Sequence, residues 1–133
     1  MLRAVADTHA LIWYIFSDNR LSPAAFALIQ SALASADQIG FSAISLTEIV
    51  YLMEKQRVPV TTLQRLLQAT VHNNAIFSEV PVDRNIAQAM LRVDRTQIPD
   101  LPDRIIAATA LHLGLPVISR DHKIRAAIIQ SVW

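Results

Sequence analysis

Short apolar runs alternate along this chain with longer stretches whose apolar residues recur at helical spacing. Leu2 to Ala6 is almost wholly apolar and predicts a strand. From Thr8 to Phe16, the residues Leu11, Ile12, Ile15 and Phe16 fall on one helical stripe. Ser22 followed by Pro23 marks a helix start, with a hydroxyl at the N-cap and proline in the first turn. That helix runs to about Ser35, with Phe26, Ile29 and Leu33 expected inward. Gln38 to Ser42 predicts a second strand, and Ser45 to Lys55 a helix turning Ile49, Leu52 and Met53 inward. Thr61 or Thr62 can cap a helix that ends near Val71. Ala75 to Val80 predicts a third strand, and Asp83 to Val93 a helix carrying Ile86, Ala87, Met90 and Leu91. Leu101 to Leu113 is the clearest helix, stopped by Gly114 with Pro116 beyond. Pro116 to Ser119 predicts a fourth strand, Lys123 to Ile128 a last helix, and Ile129 to Trp133 an edge strand.

Strands separated by helices imply a parallel sheet covered on both faces. The strands read as continuous apolar runs, which two-sided burial requires. The expected fold class is α/β, in one domain spanning residues 1–133. A hydrophobic share of 53% is ample for its core. The chain has no cysteine, which excludes a disulfide framework and a thiolate metal site. The longest apolar stretches, Ala10 to Phe16 and Ile105 to Val117, are too short or interrupted to cross a membrane. No signal-peptide core precedes Asp7, so a cytoplasmic location is expected. Net charge is only +1, so nucleic-acid binding would need a local basic patch.

Only 17% of residues are charged, which draws attention to four acids placed where apolar runs end or helices begin. Asp7 closes the first strand, and Asp121 follows the fourth. Glu48 and Asp103 open two apolar helices. In open α/β sheets, ligands bind beyond the carboxyl ends of the strands. Connectivity alone sends Asp7, Glu48 and Asp121 to that edge. Asp103 follows more loosely, because its helix feeds strand four from the opposite edge. Gathered acids repel unless a hard cation neutralises them, which points to Mg²⁺ or Mn²⁺.

Each acid also has a plain structural reading. Ser45-Leu46-Thr47-Glu48 has the form of a capping box, with Ser45 at the N-cap and Glu48 at N3. Asp100 and Asp103 both suit a helix first turn, Asp100 being the better cap. Asp121 can start a turn into Lys123. Asp7 is hardest to explain in this way, because a carboxylate at a central strand end is partly buried. His9 and His122 lie near cluster acids, but no histidine pair has metal-ligand spacing. Trp13 and Trp133 read as core or interface residues, and there is no Gly-rich phosphate loop.

Four blocks resemble the motifs of PIN-domain proteins, in order along nearly the whole chain. They are Val5-Ala6-Asp7-Thr8-His9-Ala10-Leu11-Ile12-Trp13, Ile44-Ser45-Leu46-Thr47-Glu48-Ile49, Asp100 to Ala110, and Val117-Ile118-Ser119-Arg120-Asp121. The segment Asp103-Arg104-Ile105-Ile106-Ala107-Ala108-Thr109-Ala110 is the most specific. Among PIN proteins the chain resembles the VapC-type toxins of toxin–antitoxin pairs. The resemblance implies a three-layer α/β/α sandwich and a Mg²⁺- or Mn²⁺-dependent endoribonuclease held inactive by a cognate antitoxin. It implies that Asp7, Glu48, Asp103 and Asp121 bind metal, supported by Thr8, Ser119 and Asp100. It also implies a homodimer.

For such an enzyme, carboxylate-held Mg²⁺ would activate a water and polarise the phosphoryl oxygen. Whether one ion or two is held stays open. RNA approaching an acidic site needs a basic rim, for which Arg104, Arg120, Lys123 and Arg125 are candidates. The apolar stretches Ala10 to Phe16 and Ile49 to Met53 are candidates for an antitoxin groove, although core packing is their ordinary use. Two rivals come from other classes: a catalytically inactive PIN-like module that binds RNA or protein, and a receiver-like phosphoacceptor. The receiver reading needs an acidic neighbour for Asp7, which the sequence lacks.

Overall fold

The alternation of side chains along the first strand sets the layering. In the computed structural model, which describes residues 1–71, 73–127 and 130–133, β1 (Leu2–Ala6) turns Ala4 and Ala6 into one apolar cluster and Val5 into another. Successive strand residues point to opposite faces, so a strand buried on both sides needs apolar residues throughout. The chain continues through α1 (Thr8–Ile15), α2 (Pro23–Ala34), β2 (Gln38–Ser42), α3 (Ile44–Glu54), α4 (Thr62–Gln68) and β3 (Phe77–Val80). It then forms α5 (Arg84–Met90), α6 (Leu101–Leu113), β4 (Val117–Ile118), α7 (His122–Ala127) and β5 (Ser131–Val132). The predicted end of the last helix at Ile128 and start of the last strand at Ile129 lie outside the described residues.

Among the described residues, five strands pair in parallel in the order β3-β2-β1-β4-β5. Helices α1 to α4 contribute Leu11, Trp13, Ile29, Ile49 and Leu66 to the cluster on one face. Helices α5 to α7 contribute Ile86, Ile106 and Ile124 on the other. This is the α/β/α sandwich. Phe41 and Phe77 are fully buried and meet edge to face, with ring centres 6.5 Å apart. Removing either ring would cost about 3–5 kcal/mol through lost burial and an unfilled cavity. Gly114 ends α6 in the left-handed region (φ 66°), where a Cβ would be strained.

Several local expectations are corrected. Helix α2 buries Ala25, Ile29 and Ala32, while Phe26 and Leu33 are 49% and 42% exposed. Small side chains allow the helix to approach the sheet closely, so the larger ones sit at the margin. Leu91, expected within the helix from Asp83 to Val93, follows the last residue of α5 and is 86% exposed. Neither threonine caps α4: Thr61 makes no side-chain cap bond, and the Thr62 hydroxyl donates to the Pro59 carbonyl at 2.6 Å. Among the described residues, no helix is long and apolar enough to cross a membrane.

Candidate active site

The chain winds from β1 outward to β2 and β3, then returns to the other side of β1 for β4 and β5. The switch in direction falls between β1 and β4, where open sheets leave a crevice at the carboxyl ends. Val5 and Ala6 pair with Val117 and Ile118, so Asp7 and Ser119 emerge side by side. Asp7 is the N-cap of α1, and its Oδ1 accepts from the Ala10 N–H at 2.9 Å. Ser119 is fully buried, and its Oγ accepts from the Asp121 N–H at 3.0 Å. Asp121 is exposed and caps α7, with Oδ1 accepting from Lys123 and Ile124 N–H groups at 2.8 and 3.1 Å.

Asp103 reaches the same edge because α6 runs back across the sheet. Its 13 residues end at Gly114 and feed β4 at the amino edge. A helix of that length is ~20 Å long, enough to carry its first turn to the carboxyl edge. The long helix thus reaches over the sheet, which connectivity alone left open for Asp103. Asp100 is the N-cap of α6, as the sequence indicated, with Oδ2 accepting from the Asp103 N–H at 3.1 Å.

The capping-box reading of Ser45 and Glu48 is overturned. Helix α3 begins one residue before Ser45, and its N-cap position, Ala43, makes no side-chain bond. Ser45 and Glu48 lie on one side of α3, three residues apart, and both turn to Thr8 on α1. The Thr8 hydroxyl donates to Glu48 Oε1 at 2.5 Å, and Ser45 Oγ lies 2.8 Å from Thr8 Oγ1. Thr8 and Ser45 are both buried.

The acids share one electrostatic field. Burial raises the Asp7 carboxyl above its ordinary range; Ser119, the Ala10 N–H and His9 oppose this, and Asp121 adds to it. Burial also raises Glu48, opposed by the Thr8 hydroxyl and reinforced by Asp100 and Asp7. Asp103 is pushed up to about 7, first by burial, then by the carboxylates of Asp100, Asp121, Glu48 and Asp7. The four acids singled out in the sequence therefore lie within mutual influence. Among the described residues, no three acid or histidine side chains form a ready-made ligand set. All the acid donors are hard oxygens, and Mg²⁺ keeps several of its own waters, so direct bonds to one or two carboxylates suffice. Asp7, which is buried, and Asp103, which is half-buried, could supply such bonds.

An open cleft of about 430 Å³ lies against this edge, lined by Asp7, His9, Trp13, Arg120, Asp121 and His122. Arg120 is exposed, its guanidinium carbon 4.7 Å from the Trp13 ring centre. Trp13 itself is core, only 4% exposed, with Trp133 at 5.7 Å. Lys123 and Arg125 are exposed on α7. Arg104 turns away from the cleft: its guanidinium donates to the Met90 and Val93 carbonyls at 2.9 and 3.3 Å. Its Nε is buried without a hydrogen-bond partner among the described residues. Arg104 thus ties α6 to the turn after α5 and is not part of a basic rim. The Trp13–Arg120 stack and the Ser45 contact were missed from sequence. Only the i, i+3 spacing of Ser45 and Glu48 hinted at the second.

The PIN domain family model matches residues 4–128. Ribonuclease VapC22 of Mycobacterium tuberculosis (strain ATCC 25618 / H37Rv) is 27% identical over 128 residues, covering 95% of this chain and 92% of that relative. A toxin–antitoxin complex from Klebsiella pneumoniae contains a chain 27% identical to this one. It has a TM-score of 0.65, with 98% of this chain and 96% of that one covered. VapBC2 from Rickettsia felis, bound to a DNA fragment from its promoter, matches at 13% identity and TM-score 0.67, covering 99% and 100%. FitAcB from Neisseria gonorrhoeae matches at 21% identity and TM-score 0.60, covering 96% and 95%. The last two share the fold.

Proposed function

This chain belongs to the PIN-domain family, and we propose that it is a Mg²⁺- or Mn²⁺-dependent endoribonuclease, the toxin of a toxin–antitoxin pair. The observation that carries this reading is the convergence of Asp7, Glu48 and Asp121 on Asp103 at the carboxyl edge of the sheet. Burial and neighbouring carboxylates raise Asp103 to about 7, a repulsion that a hard cation would relieve. The names of the similar ribonuclease and toxin–antitoxin proteins support the same reading. Reading the chain as a non-cutting module gains nothing here, since each of the four positions carries its acid.

A divalent ion in this site would acidify a water and relieve charge on the scissile phosphate. The chain's own residues set the rest. Asp7 and Asp103 would hold the ion, and Glu48 or Asp121 would act through a water or as the base. Thr8, Ser119 and Asp100 keep the acids in place. Arg120 and Lys123 offset the repulsion between RNA and the acids. Hydrolysis of this kind leaves a 5′-phosphate and a 3′-hydroxyl, and a single-stranded or loop segment suits an open cleft.

For the antitoxin, α1 offers little surface, since Ala10 to Trp13 are core. A shallow apolar groove of about 570 Å³ between α3 and α4 suits it better, lined by Met53, Val60, Leu63, Leu67 and Val71. A homodimer and a cytoplasmic setting complete the reading. The test is incubation of the purified protein, freed of any copurifying partner, with a structured RNA pool and Mg²⁺. Cleavage lost with a chelator and with Asp7→Asn supports the enzyme; an inert wild type rejects it.

A further inference from the structure

We infer that Ser45 is a positioning residue, which holds Glu48 in place at the site by fixing the direction of the Thr8 hydroxyl. The inference rests on the metal-dependent reading above and deepens it. Thr8 has one hydroxyl proton and two acceptor lone pairs. Glu48 Oε1, when ionised, can only accept, and it lies 2.5 Å from Thr8 Oγ1. The Thr8 proton is therefore committed to Glu48. The 2.8 Å contact between Ser45 Oγ and Thr8 Oγ1 must then run the other way, with Ser45 donating. The result is a directed chain, Ser45 to Thr8 to Glu48, linking the first turns of α1 and α3.

Burial makes the direction matter. Ser45 is fully buried, and Thr8 is nearly so. Without Ser45, the acceptor side of Thr8 loses its partner and the hydroxyl is freer to rotate away from Glu48. Donors in a row also polarise one another, which strengthens the final bond to the carboxylate. Glu48 sits three residues after Ser45 on the same helix, so α3 supplies both the first donor and the last acceptor. Thr8 follows Asp7 directly, so the chain also ties Glu48 to the strand end that carries Asp7.

Calorimetric titration with Mn²⁺, in the absence of RNA, tests this on the wild type, Ser45→Ala, Ser45→Thr, Thr8→Val and the double variant. Residues that orient metal ligands typically matter about tenfold or more in affinity. Ser45→Ala should therefore weaken Mn²⁺ binding about tenfold while its circular dichroism matches the wild type. Ser45→Thr, which keeps the hydroxyl, should restore most of the loss. In the Thr8→Val background, Ser45→Ala should cost nothing further, because the chain is already cut. Unchanged affinity in Ser45→Ala overturns the inference, as does an equal loss with and without Thr8. A wild type that binds no Mn²⁺ overturns the metal-dependent function itself, and this inference with it.

Discussion

The backbone N–H of Asp7 donates to the carbonyl of Ile118 at 3.0 Å, clamping the carboxyl ends of β1 and β4 together where the sheet changes winding direction. Asp7 also caps α1 through Oδ1. Its backbone and one carboxylate oxygen are thus tied into the fold, which fixes where its charge lies.

Asp7→Asn separates structure from chemistry. Asparagine caps a helix about as well as aspartate, so α1 should persist. Loss of the charge should lower RNA cleavage about a thousandfold or more, because several kcal/mol of transition-state stabilisation depends on the ion. Burial disfavours the ionised Asp7, so the cation-free variant should melt no lower than the wild type. Asp7→Ala, lacking the cap, should lose about 1 kcal/mol of stability. Cleavage assays paired with thermal melts check both halves.

Asp103 makes the cation-free protein sensitive to pH. Its carboxyl is raised from 3.8 to about 7 in the folded chain. Between those values the folded form binds more protons than the unfolded form, so stability falls as pH rises. Melting at pH 5.5 should exceed melting at pH 8.0. Asp103 is half exposed and solvent screens much of the repulsion, so the difference should be about 1 kcal/mol, or roughly 3–5 °C for a domain of this size. In Asp103→Asn the contribution of this residue to the slope should vanish. Melts in chelator across this pH range give the answer.

Divalent cations should reverse that trend. An ion bound only by the folded form, at 100 times its dissociation constant, adds about 2.7 kcal/mol of stability. Protons on the acids compete with the ion, so the gain should be larger at pH 8.0 than at pH 6.0. Thermal melts with and without Mg²⁺ at the two pH values measure it. Equal gains at both would argue against Asp103 as a ligand.

The residues that could be read from sequence were those whose neighbours are set by connectivity. Asp7 and Asp121 flank the switch point because β1 and β4 are apolar runs with acids at their ends. Glu48 lies early in the helix after β2 for the same reason. What sequence could not give was contact across elements. Ser45 pairs with Thr8 from a different helix, 37 residues away, and local spacing cannot distinguish that from a cap. Arg104 sits beside Asp103 in the chain, yet its guanidinium follows the opposite side of α6 toward Met90 and Val93. Adjacency in sequence implies nothing about side-chain direction on a helix, where neighbours lie about 100° apart.

Arg104 and Arg120 should accordingly behave differently. Arg104 donates to two backbone carbonyls from a partly buried position. Arg104→Lys cannot reproduce the fork, and it should cost about 1–2 kcal/mol in urea unfolding while leaving KM for RNA nearly unchanged. Arg120 is exposed and stacked on Trp13 at the edge of the cleft. Arg120→Ala should leave stability within about 0.5 kcal/mol and raise KM severalfold, with a weaker salt dependence. Paired denaturation and kinetic measurements separate the two roles.

The groove between α3 and α4 gives the last expectation, because it distinguishes partner binding from catalysis. Val60 and Val71 are 78% and 72% exposed, and Leu67 lines the same groove. Leaving these apolar side chains in water forgoes about 1.5–3 kcal/mol each of possible burial, which a partner helix laid along the groove would recover. The acids lie at the carboxyl edge of the sheet, and none of them lines this groove. Leu67→Glu should therefore fold normally and cleave RNA at the wild-type rate while losing at least tenfold in affinity for a cognate antitoxin, since about 1.4 kcal/mol is one decade. Pull-down of the tagged antitoxin, with RNA cleavage measured on the same preparation, tests this. A variant that keeps full antitoxin affinity would move the docking surface elsewhere on the chain.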